Sequence, residues 1–188
     1  MGKRLSADDW VQAGMTILSR RGESALTLES LCNATGKTRG SFYHHFESME
    51  FYIQALLEKW KHNHTESIIA LANEEVDARD RLERLEREVA TLDHRLDQII
   101  RRWADYQPRA KSALRTVDKT RVGYIAECLV GLGFTKDQAE VSAELEYLMF
   151  LGTQQLAGVL GSERSEILQR TFREAMRLHH ATVTPGDG

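Results

Sequence analysis

Seven consecutive residues, Arg39-Gly-Ser-Phe-Tyr-His-His45, place a guanidinium, a bare Cα, a hydroxyl, a phenol and two imidazoles on what reads as one short helix. Such groups suit hydrogen bonding to nucleic acid. Arg39 can give two parallel N–H bonds to guanine O6 and N7. Gly40 removes a side chain where a backbone must come close to a groove. Thr38 and Ser41 can donate to a phosphate or a base edge. Tyr43 can pack on a sugar and donate to a phosphate, and His45 can do likewise at the end of the helix. Lys37 adds a plain charge contact. Phe42 and Phe46 are four apart, so both turn inward and leave Arg39, Gly40, Ser41, Tyr43 and His44 facing out.

The elements that must hold these groups are legible on either side. Ser6 is placed to cap a first helix, with Asp8 and Asp9 in its first turn, where the helix dipole favours negative charge. Trp10, Val11, Gly14, Ile17 and Leu18 make its apolar stripe, and Gly22 ends it. Thr27 opens a second helix with Leu28, Leu31 and Cys32 inward, and Gly36 breaks it. Thr38 then caps the third helix. A helix, a tight turn and a polar second helix form the motif that enters a major groove. Ser48 caps a fourth helix whose apolar side is Phe51, Tyr52, Ala55, Leu56 and Trp60, continuing to about Leu71.

The rest also reads as helix, since the two prolines, Pro108 and Pro185, leave long stretches uninterrupted. Leu82, Leu85, Val89, Leu92, Leu96, Ile99 and Trp103 recur at steps of three and four. That is a coiled-coil heptad or, preferably, two core helices broken near Thr91–Asp93, with Asp93 capping the second. A helix from Pro108 to Leu132 is expected to break near Val117–Asp118. Thr135 caps a strongly apolar helix, Gly161-Ser162 is a turn, and a last helix follows. The fold class is all-α: a three-helix helix-turn-helix head, then a larger helical domain. The head is assigned to residues 1–50, the body to 51–181 and a disordered tail to 182–188. The polar stretch Asn73–Asp77 reads as a break between head and body.

Charge is unevenly shared. Residues 1–46 carry six Lys and Arg against four Asp and Glu, a surplus of two, so the net −3 of the chain leaves −5 for the remainder. A mildly basic head on an acidic body suits a protein that touches phosphate at one end. No nucleophile elbow, Gly-rich phosphate loop or positioned carboxylate pair appears, so an enzyme is not expected. His44-His45, His62/His64 and His179-His180 lack the four-residue helical spacing that lets two imidazoles share zinc, so no metal is expected. No apolar run could span a bilayer, and the N-terminus lacks a signal-peptide core. Cys32 and Cys128 lie far apart, as buried thiols of a cytoplasmic protein do. Trp103, Tyr106, Tyr124, Tyr147, Met149 and Phe150 either line a ligand cavity or fill a core.

The head resembles that of the TetR family of bacterial transcription regulators. The resemblance runs from an apolar first helix ending in Gly22, through Thr27, Leu31-Cys32 and Ala34-Thr35-Gly36, to Gly40, Phe42-Tyr43 and His45-Phe46. It implies phosphate contacts for Thr27, Tyr43 and His45, and base contacts for Arg39, Gly40, Ser41 and His44. Lys37 and Thr38 complete the implied DNA-binding set. Met49 stands where the family usually has a phosphate-binding lysine, and Lys37 where an aliphatic residue is common. A second reading is therefore a helical interaction protein whose head has lost DNA binding. In the body, Arg102-Trp103-Ala104, Pro108, Val117-Asp118, Arg121 and Gly133-Phe134 resemble a subset of the family. That likeness implies a dimer formed through residues 135–181 and a small-molecule inducer site, with Trp103, Tyr106, Tyr124, Tyr147 and Phe150 as its lining. It implies no cofactor. The function it implies is a cytoplasmic homodimeric repressor on a palindromic double-stranded operator.

Overall fold

Hydroxyls begin the helices and glycines end them, as the sequence predicts. A computed structural model of the chain describes residues 5–182. α1 (Ala7–Arg21) opens on a full capping box: Ser6 Oγ accepts the Asp9 amide at 3.2 Å and the Asp9 carboxylate accepts the Ser6 amide at 2.7 Å. Gly22 ends it at φ 79°. A 3-10 turn, Glu23–Ala25, leads into α2 (Leu28–Thr35). Gly36, at a left-handed φ of 64°, turns the chain into α3 (Arg39–Tyr43). α4 (Met49–Lys61) starts at Ser48, whose hydroxyl accepts the Phe51 amide at 3.4 Å. It passes through a π-helical turn, His62–Glu66, into α5 (Ser67–Ala72). Five helices follow: α6 (Ala78–Ala90), α7 (Arg95–Trp103), α8 (Pro108–Gly131), α9 (Lys136–Leu160) and α10 (Ser162–Thr182). Among the described residues there is no strand, and no helix is long and apolar enough to cross a membrane.

The helices gather into two units. The first takes residues up to Ile68 together with Thr91–Val117. Its core is one cluster in which Trp10, Leu18, Leu31, Phe42, Tyr52, Leu56, Trp60, Ile100 and Val117 are fully buried. α1 packs on α2, α4 and α7, so α7 and the first turns of α8 share the core of the helix-turn-helix. The second unit takes Ile69–Ala90 and the chain from Asp118. There α8 meets α9 through Ala126, Leu129, Ala139 and Ala143, while Tyr124 and Cys128 pack on Ala72, Leu82 and Leu85. α10 lies along α9, where Gln169 Nε2 donates to the Thr153 hydroxyl at 2.8 Å.

Several expectations need correcting. The break near Val117–Asp118 does not occur: α8 is continuous over 24 residues. Asp118 does not turn on its own backbone because its carboxylate accepts the Tyr147 hydroxyl at 2.6 Å. Phe51 is 52% exposed rather than part of the apolar side of α4. The row Tyr52, Leu56, Trp60, with its four-residue step, takes the core, and Phe51 lies one residue off it. The seam from Leu82 to Trp103 is two helices, α6 and α7. His94 holds the N-cap position of the second without a side-chain capping bond, while Asp93, one residue before it, accepts the Arg95 amide at Oδ1 at 3.0 Å. Of the charges counted for the basic head, Lys3 and Arg4 lie outside the described residues. So does the expected tail beyond Thr182, and so do the side chains of His179 and His180.

Candidate nucleic-acid interface

The motif is built by local chemistry. Thr27 Oγ1 accepts the Ser30 amide at 3.1 Å and donates to Ser30 Oγ, which fixes the start of α2. At its other end the Lys37 amide returns to the Cys32 carbonyl at 3.1 Å, and the Thr35 hydroxyl donates to the Leu31 carbonyl at 2.8 Å. Thr38 Oγ1 accepts the Ser41 amide at 3.3 Å. A hydroxyl that accepts at a cap keeps its own proton, so Thr38 can still donate outward.

α3 spans only five residues, and two aromatic side chains hold it. Phe42 is fully buried and Phe46 nearly so. The Phe42 ring meets Trp10 edge-on at 5.4 Å and lies 5.4 Å from Tyr52. With the aromatic row inward, the other side of the helix faces solvent. Arg39, Gly40 and His44 are exposed and Tyr43 is 53% exposed, while Ser41 and His45 are half-buried. Thr27 and Thr38 are also exposed, and Lys37 is half-buried in the turn. The nine residues expected at the DNA thus lie between the start of α2 and the end of the α3 segment, six of them exposed and Lys37, Ser41 and His45 half-buried.

Gly40 is exposed at the second position of α3. A Cβ built there would meet only Thr38 Oγ1, at 3.8 Å, an ordinary contact. Its backbone is not left-handed. The fold therefore makes no demand for glycine at this position. Met49 sits half-buried against the core at the start of α4, so it contributes packing and no charge.

Residues 11–56 match the family model of bacterial regulatory proteins, tetR family. The head belongs to the tetR family. The matched segment is the head of that family, and solved structures share the fold of the whole chain. The chain is similar to reduced NemR of E. coli, with a TM-score of 0.73 and 20% identity over 89% of this chain and 96% of that one. It is similar to a TetR/AcrR family member at TM-score 0.76 and 20% identity, covering 89% and 96% of the two chains. A TetR transcriptional regulator from Legionella pneumophila superposes at TM-score 0.75 with 13% identity, covering 93% and 99%. At such identities the likeness is one of fold. No curated protein matches the sequence.

The five aromatic residues expected around a ligand divide between the two units. Trp103 is buried in the core of the first unit. Tyr106, in the same unit, is 64% exposed, and its hydroxyl donates to the Glu23 carboxylate. In the second unit Tyr124 is buried and donates to Asn73 Oδ1 at 2.8 Å. Tyr147 donates to Asp118, accepts from Arg121 Nη1 at 3.5 Å and stacks on Phe150 at 6.1 Å. Burial pushes both phenols up to about 12; at Tyr147 the nearby Arg121 charge opposes that shift and the bond to Asp118 adds to it. A surface groove of about 380 Å³ between α6 and α10 is lined by Glu83, Glu86, Arg87, Arg170, Arg173 and Glu174, and includes none of the five. Sequence reasoning also missed a buried pair in the first unit, His64 Nδ1 and Asp97 Oδ2 at 2.8 Å. They are 33 residues apart in the chain, and no local pattern marks such a pairing.

Proposed function

We propose that the chain is a homodimeric transcriptional repressor that binds a palindromic operator and releases it when a small molecule occupies the body. The observation that carries this reading is the open face of α3. Arg39, Gly40 and Tyr43 are exposed on a helix whose own aromatic residues are locked in the core. In it Arg39, Gly40, Ser41 and His44 meet base edges. Thr27, Lys37, Thr38, Tyr43 and His45 hold phosphates. Lys37 supplies the charge that Met49 does not. Each subunit puts α3 into one major groove, with half-sites about 34–36 Å apart. The protein acts in the cytoplasm, by occupying promoter DNA.

Residues 1–50 are the DNA-binding part of this reading and 51–181 the effector and dimer part. Dimerisation through residues 135–181 is supported by the outer face of α9. Val141, Leu145, Leu148, Leu156 and Val159 are all exposed there and recur at helical steps, with Gly152 in the same row. Such a continuous apolar face marks an interface. For the effector, the stacked pair Tyr147 and Phe150 with Tyr124 in the same unit offers aromatic surface beside Arg121 and Asp118. A ligand with different affinities for two head spacings is sufficient to switch such a dimer.

The test is selection of binding sites from random duplex DNA, followed by mobility shifts over a salt series. The expected result is a two-fold symmetric consensus whose affinity falls steeply as salt rises. If no sequence is enriched and no salt-dependent complex forms, the chain is a helical interaction protein instead.

A further inference from the structure

The turn joining α7 to α8 reaches the head at two points. Tyr106 Oη donates to the Glu23 carboxylate at 2.5 Å, with the Arg102 charge nearby. Three residues on, Arg109 donates through Nη1 to Gln54 Oε1 at 3.3 Å and through Nη2 to Glu50 Oε2 at 3.5 Å. Glu23 lies in the 3-10 turn just before α2, while Glu50 and Gln54 lie in the first turns of α4, just after α3. One short elbow therefore holds the chain on both sides of the helix-turn-helix.

We propose that Tyr106 and Arg109 are positioning residues for DNA binding, which fix the angle at which α3 is offered to the groove. This rests on the DNA-binding reading above. A five-residue helix has too few internal hydrogen bonds to set its own attitude. Phe42 and Phe46 fix its depth in the core, whereas its tilt also depends on the segments that enter and leave the motif. The elbow contacts are exposed, so they add little to stability. They nevertheless join residues 83, 55 and 59 apart in the chain. Two of the three acceptors are carboxylates, and the bond from Tyr106 to Glu23 is short and charge-assisted. The Tyr106 hydroxyl is also the main reason that the Glu23 carboxyl lies below its ordinary value.

The experiment compares Tyr106→Phe, Arg109→Gln, Glu23→Ala and Glu23→Gln with the parent, using the full chain. Two quantities are read: affinity for the selected operator, and amide hydrogen exchange at residues 38–45 in free protein. Tyr106→Phe is expected to weaken the operator complex by about three- to tenfold, the scale of one solvent-exposed hydrogen bond, with an unchanged melting midpoint. Exchange in α3 should rise. Glu23→Ala should add no further loss to Tyr106→Phe, and Glu23→Gln, which keeps an acceptor, should restore most of the affinity. Unchanged exchange at residues 38–45 in both Tyr106→Phe and Arg109→Gln overturns the proposal, whatever the DNA result. So does a loss of affinity that merely tracks a lower melting midpoint. Failure of the parent to select any operator is a separate outcome that removes the DNA-binding reading.

Discussion

At the scale of single residues, the strongest statement concerns Arg39. Its side chain is exposed at the first position of α3, so removing it costs the fold little. Arg39→Ala should therefore leave the melting midpoint in place and relax the selected consensus at one base pair in each half-site, by about 1–3 kcal/mol of discrimination. An identical consensus from the variant would end the base-contact assignment. Tyr124 and Tyr147 make a different kind of prediction. Their folded values near 12 lie above the ordinary 10 because burial disfavours the phenolate. A raised value stabilises the fold below pH 10, and that contribution is lost as pH climbs toward 12. Denaturant midpoints should fall over this window while phenolate absorbance at these sites appears late. Tyr147→Phe should flatten part of the decline, and a decline of equal slope in that variant would contradict the assignment. At this scale the sequence is a good guide wherever chemistry is local. Ser6, Thr27, Thr38 and Ser48 all cap as predicted, because a cap needs only a hydroxyl and an amide two or three residues on. The partners of Tyr106, Tyr147 and His64 were not legible, since each is chosen by a contact at least 29 residues away.

Between elements, α1 and α4 pack closely at Gly14. A Cβ on Gly14 would collide with Tyr52 Oη and stand 2.9 Å from Leu56 Cδ1. The Tyr52 hydroxyl cannot simply move aside, because it is buried and donates to the Trp10 carbonyl at 2.9 Å. Gly14→Ala should destabilise the head by about 1–3 kcal/mol, seen as a lower thermal midpoint. Adding Tyr52→Phe removes the colliding oxygen, so the pair should lose less than the sum of the single variants. Full additivity would show that α1 and α4 do not meet as described. The sequence placed Gly14 in the apolar stripe of α1 without indicating that a methyl group is excluded there, since that depends on a residue of another helix. Element boundaries followed the same logic. The gap between α6 and α7 was legible from Thr91–Asp93, but the continuity of α8 through Asp118 was not, because an aspartate engaged by a distant tyrosine stops acting as a helix breaker. The π turn at His62–Glu66 left no mark in composition, since one extra residue in a turn changes no residue type.

For the whole molecule, the question is what covers α9. Folding has placed Val141, Leu145, Leu148, Leu156 and Val159 on the outside of an otherwise well-packed helix. An isolated exposed leucine means little, but a row of five at helical spacing with a glycine in its midst is what a second helix would pack against. In the proposed homodimer a second copy of the chain meets the requirement, because a two-fold axis brings each row onto its twin. Leu148 is 63% exposed, so a charge there is hydrated in the single chain and would be buried only in the proposed dimer. Leu148→Glu should therefore fold with an unchanged far-ultraviolet spectrum, sediment as a monomer, and lose about a hundredfold or more in affinity for a palindromic site. Its binding to a single half-site should stay as it was, because what disappears is the linkage of two modest contacts rather than either contact itself. A variant that still sediments as a dimer would show that α9 is not the interface. One that becomes monomeric yet keeps full affinity for the palindrome would show that each head binds alone, and the symmetric-operator mechanism would fall.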